Sequence, residues 1–273
     1  MWFLLLFLLF VTPINAQDAT PSATAPTPTN VPTTIPTPTP RIFDQYQKDY
    51  LFQYDLYQQA YLIYVDKKKV YTKYGTITTQ KDKFNAAINA INARNKAFKA
   101  YFLALRVLLD DYKSSDPTST ERNQIELSKW EAWFTEQLSV VPAINNETDL
   151  YKWANDFKGK YIEIQKVIYG ALTQHEVNLR QQTLNLVQEI ASDIRNNPSI
   201  KPESEQWVSS LTVKSDLITT GLNNSITISK KNQNQNKFSN FYPEVRIEMN
   251  KANNYLIEIS ADLKLIITKF YKP

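Results

Sequence analysis

Cysteine is absent from this chain of 273 residues, histidine occurs once and glycine only four times. A chain without cysteine forms no disulfide and has no thiol nucleophile, and a single histidine supplies too few ligands for ordinary zinc sites. Glycine usage this far below average disfavours folds with many tight turns and glycine-rich nucleotide loops. We therefore expect no cofactor and no metal site.

The first 16 residues form an apolar leader. Residues 2–11 are uninterrupted apolar side chains, too few to cross a bilayer as a stable helix, and Ala16 is a small residue at a plausible cleavage point. The pattern predicts a signal peptide over 1–16, or, as the alternative, a retained anchor that would attach the chain peripherally to a membrane. Either interpretation places the rest of the chain outside the cytoplasm, secreted or tethered to the cell surface.

Residues 17–41 are rich in proline and threonine. Seven of these 25 residues are Pro and eight are Thr. Such a composition cannot bury a core and favours extended polyproline-II backbone. We predict a disordered linker here.

The net charge of +4 is modest, and the dense basic spots are Lys67-Lys68-Lys69 and Lys230-Lys231. Solvated helix faces usually explain such spots, and contact with an anionic wall polymer or lipid headgroups is the alternative. No nucleic-acid-binding motif accompanies them, so no nucleic-acid partner is expected.

Prolines and one glycine divide the remainder into six predicted helices. Proline is tolerated in a first helical turn but costs roughly 3 kcal/mol in a helix interior, so it marks boundaries. The predicted helices span 42–74, 78–114, 118–140, 147–196, 202–235 and 239–271. Short joints favour antiparallel neighbours, which predicts an all-α, elongated antiparallel bundle.

Heptad spacing indicates coiled-coil-like packing in two of these helices. Apolar residues alternate steps of four and three, which keeps one seam facing a partner helix. The second helix places Phe84, Ile88, Ile91, Asn95, Phe98, Phe102, Leu105, Leu109 and Tyr112 on its seam. The last helix has Val245, Met249, Ala252, Leu256, Ile259, Leu263, Ile266 and Phe270. Asn95 is the polar member, and a buried Asn at a seam fixes register at a cost in stability.

The six helices suggest two stacked three-helix bundles, 42–141 and 142–273, with one continuous six-helix bundle as the alternative. The stripe of the fourth helix drifts after Gly170, which predicts a kink there or two stacked helices. Low helix propensity weakens the fifth helix, and the polar run 230–237 predicts a frayed end or loop.

Tyrosine is concentrated in the first helix. Five tyrosines follow the four–three spacing and line one face, namely Tyr50, Tyr54, Tyr57, Tyr61 and Tyr64. Phe52, Leu56, Ile63 and Val70 occupy a neighbouring face. The tyrosine face is either a seam with hydroxyls at the bundle edge or an adhesive surface that grips a partner or sugar.

Trp130 and Trp133 on the third helix, beside Phe134, allow the same two interpretations: packing within the protein or an exposed aromatic contact patch. His175 extends an apolar stripe of the fourth helix, which predicts a hydrogen-bonded histidine at the core margin.

The remaining route to catalysis is through carboxylates. Asp110 and Asp111 are adjacent, but neighbouring helical side chains point about 100° apart, so we interpret them as a solvated helix end. No catalytic residue is predicted.

These features together predict an exported binding or scaffolding protein that is not an enzyme. Its expected partner is a cell-envelope component or another protein, and an oligomer is compatible with its helix faces. The alternatives are a carboxylate-based cell-wall glycan hydrolase and a membrane-active helical protein.

Overall fold

A computed structural model describes residues 41–110, 116–197, 201–236 and 238–270, without the side chains of 201–204, 238–242 and 270. The predicted signal peptide, nearly all of the linker, Asp111 and Tyr112 lie outside the described residues. Six α-helices and one short 3-10 helix make up the described part, in which there is no strand. The predicted all-α bundle is therefore confirmed.

The helix bounds follow the predicted ones closely. The helices are α1 (Ile42–Tyr74), α2 (Ile77–Asp110), α3 (Pro117–Val140), α4 (Glu147–Asn196), α5 (Lys201–Asn234) and α6 (Phe238–Phe270), with a 3-10 helix at Val141–Ala143.

Local chemistry accounts for several of these boundaries. Gly75 adopts a left-handed φ of 59° and donates its N–H to the Tyr71 carbonyl, which ends α1. Asp116 caps α3 by accepting a hydrogen bond from the Ser119 N–H, with Pro117 in the first turn. Asn146 caps α4 in the same way.

Consecutive helices run antiparallel. Lys67 of α1 meets Asp82 of α2, close to the turn, whereas Tyr50 lies against Tyr101 much further along both helices. The fourth helix is long enough to pack against two sets of partners: α2 and α3, and also α5 and α6. Its contacts with α2 are parallel, as the hydrogen bond between His175 and Leu108 and the ion pair of Glu147 with Lys83 indicate.

An aromatic cluster forms the core between α2, α3 and α4. Phe98 stacks on Phe134 with ring centroids 4.7 Å apart, and Phe102 lies 5.8 Å from Phe134. Phe102 and Phe134 are both 0% exposed. The predicted seam of α2 is buried from Asn95 to Leu109, and its earlier members Phe84, Ile88 and Ile91 are half-buried.

The predicted seam of α6 is buried at every position whose side chain is described, from Val245 to Ile266. Opposite it, α5 buries Val208, Leu211, Ile218 and Leu222, and α4 contributes Leu184 and Ile194. Gly221 allows close packing here, because a Cβ at this position would lie 3.4 Å from the Glu248 carbonyl oxygen.

Three further details of the helices bear on the predictions. The polar run after Lys230 stays helical to Asn234, since Asn232 is buried and donates to Glu244 of α6. Pro243 is the sixth residue of α6, later than the first turn in which proline fits best.

The fourth helix is continuous across Gly170, so it is one helix and not two stacked helices. The division into two three-helix bundles stays a prediction.

A groove between the first, second and fourth helices

Three tyrosines of α1 line a groove. Tyr57, Tyr61 and Tyr64 are half-buried, and their successive ring centroids are 6.2 Å apart. The groove, hereafter the Tyr–Arg groove, has a cavity volume of about 320 Å³. Its walls are Tyr57, Tyr61, Tyr64 and Lys68 of α1, Lys83, Phe84, Ala87, Ala90, Ile91 and Arg94 of α2, and Glu147, Leu150, Tyr151 and Ala154 of α4. This volume lies at the small end of the range for small-molecule sites.

Small residues on α2 open the space. Lys83, Ala87, Ala90 and Arg94 follow one another in steps of four, three and four, so they lie on one face of the helix. The two alanines project only a methyl group each between the charged ends of this row. The tyrosine rings of α1 therefore border a cavity that larger side chains at 87 and 90 would fill.

Arg94 is the most unusual group of the groove. Its guanidinium carbon lies 4.0 Å from the centroid of the Phe157 ring and 5.4 Å from that of Trp153. Its Nε and Nη2 atoms are buried and have no hydrogen-bond partner in the described part of the protein. Burial lowers the pKa of Arg94 to about 10, an effect that the neighbouring phenol groups of Tyr57 and Tyr161 oppose. Helices α2 and α4 thus hold a poorly solvated cation that no carboxylate of the described residues balances.

The mouth of the groove carries an ion pair. Lys83 Nζ lies 2.8 Å from Glu147 Oε1, and the hydrogen bond to Glu147 raises the pKa of Lys83. Lys83 Nζ also lies 4.2 Å from the centroid of the Tyr71 ring. Lys68, on the α1 side, is exposed. The lining carries three cations, Lys68, Lys83 and Arg94, and one carboxylate, Glu147, so its net charge is positive.

The predicted contact residues do not form one surface. Tyr50 is buried against Tyr101, with ring centroids 4.9 Å apart, so its ring packs inside the protein. Burial raises its pKa above the ordinary range. Tyr54 continues the row with its ring 6.0 Å from that of Tyr50, and it is half-buried. Only the C-terminal part of the tyrosine row reaches the groove.

Trp130 and Trp133 lie apart from the groove on α3. Their ring centroids are 5.8 Å apart, and both side chains are half-buried. Trp133 packs against Phe134 at 4.8 Å and against Phe157 at 6.1 Å, which makes it an outer member of the aromatic core.

The groove contains residues that the sequence patterns did not single out. Arg94 and Lys83 stand beside the seam of α2, and Glu147 begins α4. The row of Lys83, Ala87, Ala90 and Arg94 was visible in the sequence as a second stripe next to the seam. Whether this row lines a groove depends on where α4 packs, and no local sequence pattern specifies the position of α4.

Other candidates have structural explanations. His175 is half-buried, and its Nδ1 lies 3.2 Å from the Leu108 carbonyl oxygen, as expected for a histidine at the core margin. Asp110 accepts a hydrogen bond from Gln124 at 2.8 Å. Within the described ranges, no group of three or more His, Cys, Asp or Glu could hold a metal ion. No helix in those ranges has the length and apolar character needed to cross a membrane.

No protein-family model, no curated protein and no solved structure matches this chain.

Proposed function

We propose that this chain is an exported binding module, and that its Tyr–Arg groove holds an acidic saccharide unit of the cell envelope. The observation that carries the proposal is Arg94, a guanidinium on the wall of a tyrosine-lined cavity with no carboxylate partner among the described residues. Burying a cation costs free energy unless an anion offsets it. A ligand anion would supply the missing charge.

The other walls favour a sugar over a bare inorganic anion. Tyrosine presents a flat apolar ring and a hydroxyl, so it packs against the C–H face of a sugar and hydrogen-bonds its edge. Three such rings stand in a row above the cavity, and Leu150 and Ala154 supply apolar floor. The volume of about 320 Å³ suits one or two pyranose rings. Lys68 is placed to attract a further acidic group at the mouth.

Hydrolysis of the same kind of ligand is the alternative. A retaining or inverting glycosidase needs two carboxyl groups flanking the scissile bond, one of them kept protonated. Glu147 is the carboxylate among the lining residues, and it is engaged by Lys83. The groove is therefore better suited to holding a glycan than to cutting it.

The test is a calorimetric titration of the full chain with a uronic acid oligosaccharide, with a neutral oligosaccharide of equal length as the comparison ligand. Arg94→Met and Tyr61→Ser should each weaken binding of the acidic ligand at least tenfold. Arg122→Met, which removes an exposed arginine of α3, is the matched control and should leave binding unchanged. The titrated mixture is then assayed for released reducing ends.

Three outcomes distinguish the possibilities. Acidic ligand bound without release of reducing ends supports the proposal. Release that Glu147→Gln abolishes would show a hydrolase. Equal affinity for the acidic and neutral oligosaccharides, or no effect of Arg94→Met, would overturn the role assigned to the guanidinium.

A further inference from the structure

The outer face of α1 carries an exposed apolar stripe. Phe52, Leu56, Ile63 and Val70 are 61%, 38%, 56% and 40% exposed. Steps of four, seven and seven place them within an arc of about 40° at 100° per residue. The tyrosine row that packs toward α2 lies on the opposite side of the same helix, and not on an adjacent face as we predicted from the sequence. Among the described helices, α1 packs chiefly against α2, so no described element covers this stripe.

The charges of α1 are segregated along its length. Its first half, 42–57, contains Asp44, Asp49 and Asp55 with one lysine, Lys48. Its second half, 58–74, contains four lysines, at 67, 68, 69 and 73, with one aspartate, Asp66. A helix of this kind repels a parallel copy of itself and attracts an antiparallel one, because each acidic half then meets a basic half.

We propose that the stripe on α1 binds the same stripe of a second copy of this chain, antiparallel and around a two-fold axis near residues 57–58. This register sets Phe52 opposite Ile63 of the second copy and Leu56 opposite Gln59 of the second copy. In an antiparallel pair, residues on the same flank of each helix meet across the interface. At about 100° per residue, Lys48 and Asp66 share one flank and Asp49 and Lys67 share the other.

One register therefore sets Phe52 against Ile63 of the second copy and also brings residues of opposite charge together. Lys48 meets Asp66 of the second copy, Asp49 meets Lys67 of the second copy, and the two-fold axis repeats both pairs. Lys48, Asp49 and Asp66 are exposed and Lys67 is half-buried. Within the chain Lys67 pairs with Asp82 and Asp66 with Lys69, and the proposed dimer requires each of these partly exposed pairs to share its charge with the second copy. The paired stretch, 45–70, is about 39 Å long at 1.5 Å per residue. Gln45 and Gln59 interrupt the apolar layers, which weakens the association.

Sedimentation velocity of the full chain over a concentration series tests the register by charge exchange. Lys48→Asp and Asp66→Lys each place two like-charge pairs in the dimer and should raise its dissociation constant about tenfold. The double variant restores opposite charges and should return to within about threefold of the original value. Lys158→Asp, the same charge change on an exposed position of α4, should have no effect. Any association through other segments is a background common to all variants.

Ile63→Gln should also weaken the dimer, since it removes apolar contact without touching the charges. The proposal is overturned if the chain is monomeric at its solubility limit, or if the double variant dimerises no better than the single ones. A monomeric chain that binds anionic phospholipid vesicles, and loses this binding in Ile63→Gln, would show that the stripe meets lipid instead. Binding of the acidic oligosaccharide is independent, because no residue of the stripe lines the groove, so Lys48→Asp should leave it unchanged.

Discussion

Arg94 of α2 lies with its guanidinium carbon 4.0 Å from the centroid of the Phe157 ring of α4. This contact joins the two helices that run parallel, and it places a cation at the border between the aromatic core and the Tyr–Arg groove. Cation–π contacts of this kind contribute about 0.5–2 kcal/mol. Removing a charged group from water costs several kcal/mol, so this contact alone does not offset the desolvation of Arg94. The groove is thus built around a charge that the described part of the protein does not neutralise.

Phe102→Ala should lower the free energy of unfolding by about 3–5 kcal/mol, because it empties a fully buried aromatic site between Phe98 and Phe134. Urea denaturation monitored by circular dichroism measures the change. Ile257→Ala, at a position 61% exposed on α6, is the control and should cost less than about 0.5 kcal/mol. Equal losses in the two variants would contradict the assigned core.

Much of the fold was predictable, because the chain signals its helices locally. The seam of α6 at Val245, Met249 and Ile259 is buried as its four–three spacing predicts. Gly75 ends α1 and Pro117 begins α3. Both boundaries were predictable because the backbone preferences of glycine and proline do not depend on residues distant in the sequence. The tail of α5 stays helical to Asn234, further than a frayed end from Lys230 would allow, because the burial of Asn232 against Glu244 is a tertiary contact that outweighs low propensity.

Asn95→Leu should raise the free energy of unfolding by about 1–3 kcal/mol. Asn95 is 0% exposed, and neither atom of its amide has a hydrogen-bond partner within the described ranges. Removing an unsatisfied buried amide relieves its desolvation cost, and leucine has a similar volume. The same denaturation experiment measures the gain. A loss of stability would mean that the Asn95 amide is satisfied in solution, and Asn95→Asp, which buries a charge, is the destabilising control.

Stability should fall at alkaline pH as buried tyrosines ionise. Burial raises the pKa of Tyr169 to about 12 from its ordinary value of 10.0. The unfolded chain therefore loses this proton first, and the free energy of unfolding decreases from about pH 10 until the folded pKa is passed. In Tyr169→Phe this decrease should be smaller, whereas Tyr74→Phe, at an exposed position, should behave as the unchanged protein does. Denaturation at a series of pH values compares the three, and identical pH profiles would show that Tyr169 is solvated.

Glu147→Gln should strengthen binding of the acidic oligosaccharide about two- to fivefold. The substitution removes the partner of Lys83 and leaves a second cation on the wall of the groove. The cost in stability should stay below about 1 kcal/mol, because the carboxylate is only partly buried. Titration at two salt concentrations measures both affinity and its salt dependence. Weaker binding in Glu147→Gln would indicate that this carboxylate itself contacts the ligand.

The groove was less predictable than the fold, for a geometric reason. The tyrosine row identifies one wall, and Tyr57, Tyr61 and Tyr64 do line the cavity. Arg94 and Glu147 are 53 positions apart in the chain, and their proximity depends on the parallel packing of α4 against α2. Heptad spacing specifies which face of a helix is apolar but not which distant helix covers it. The separation of Trp130 and Trp133 from the groove has the same origin.

The most direct test of the proposed function measures the stability of Arg94→Met with and without the uronic acid oligosaccharide. Without ligand, the variant should be as stable as the unchanged chain or more stable, because methionine removes a poorly solvated charge. With ligand at about one hundred times the dissociation constant of the unchanged chain, that chain should gain about 2.7 kcal/mol and the at least tenfold weaker variant no more than about 1.4 kcal/mol. The account is contradicted if the variant is less stable than the unchanged chain without ligand and both chains gain the same stability when the ligand is added. In that case Arg94 is a structural residue and does not hold the ligand.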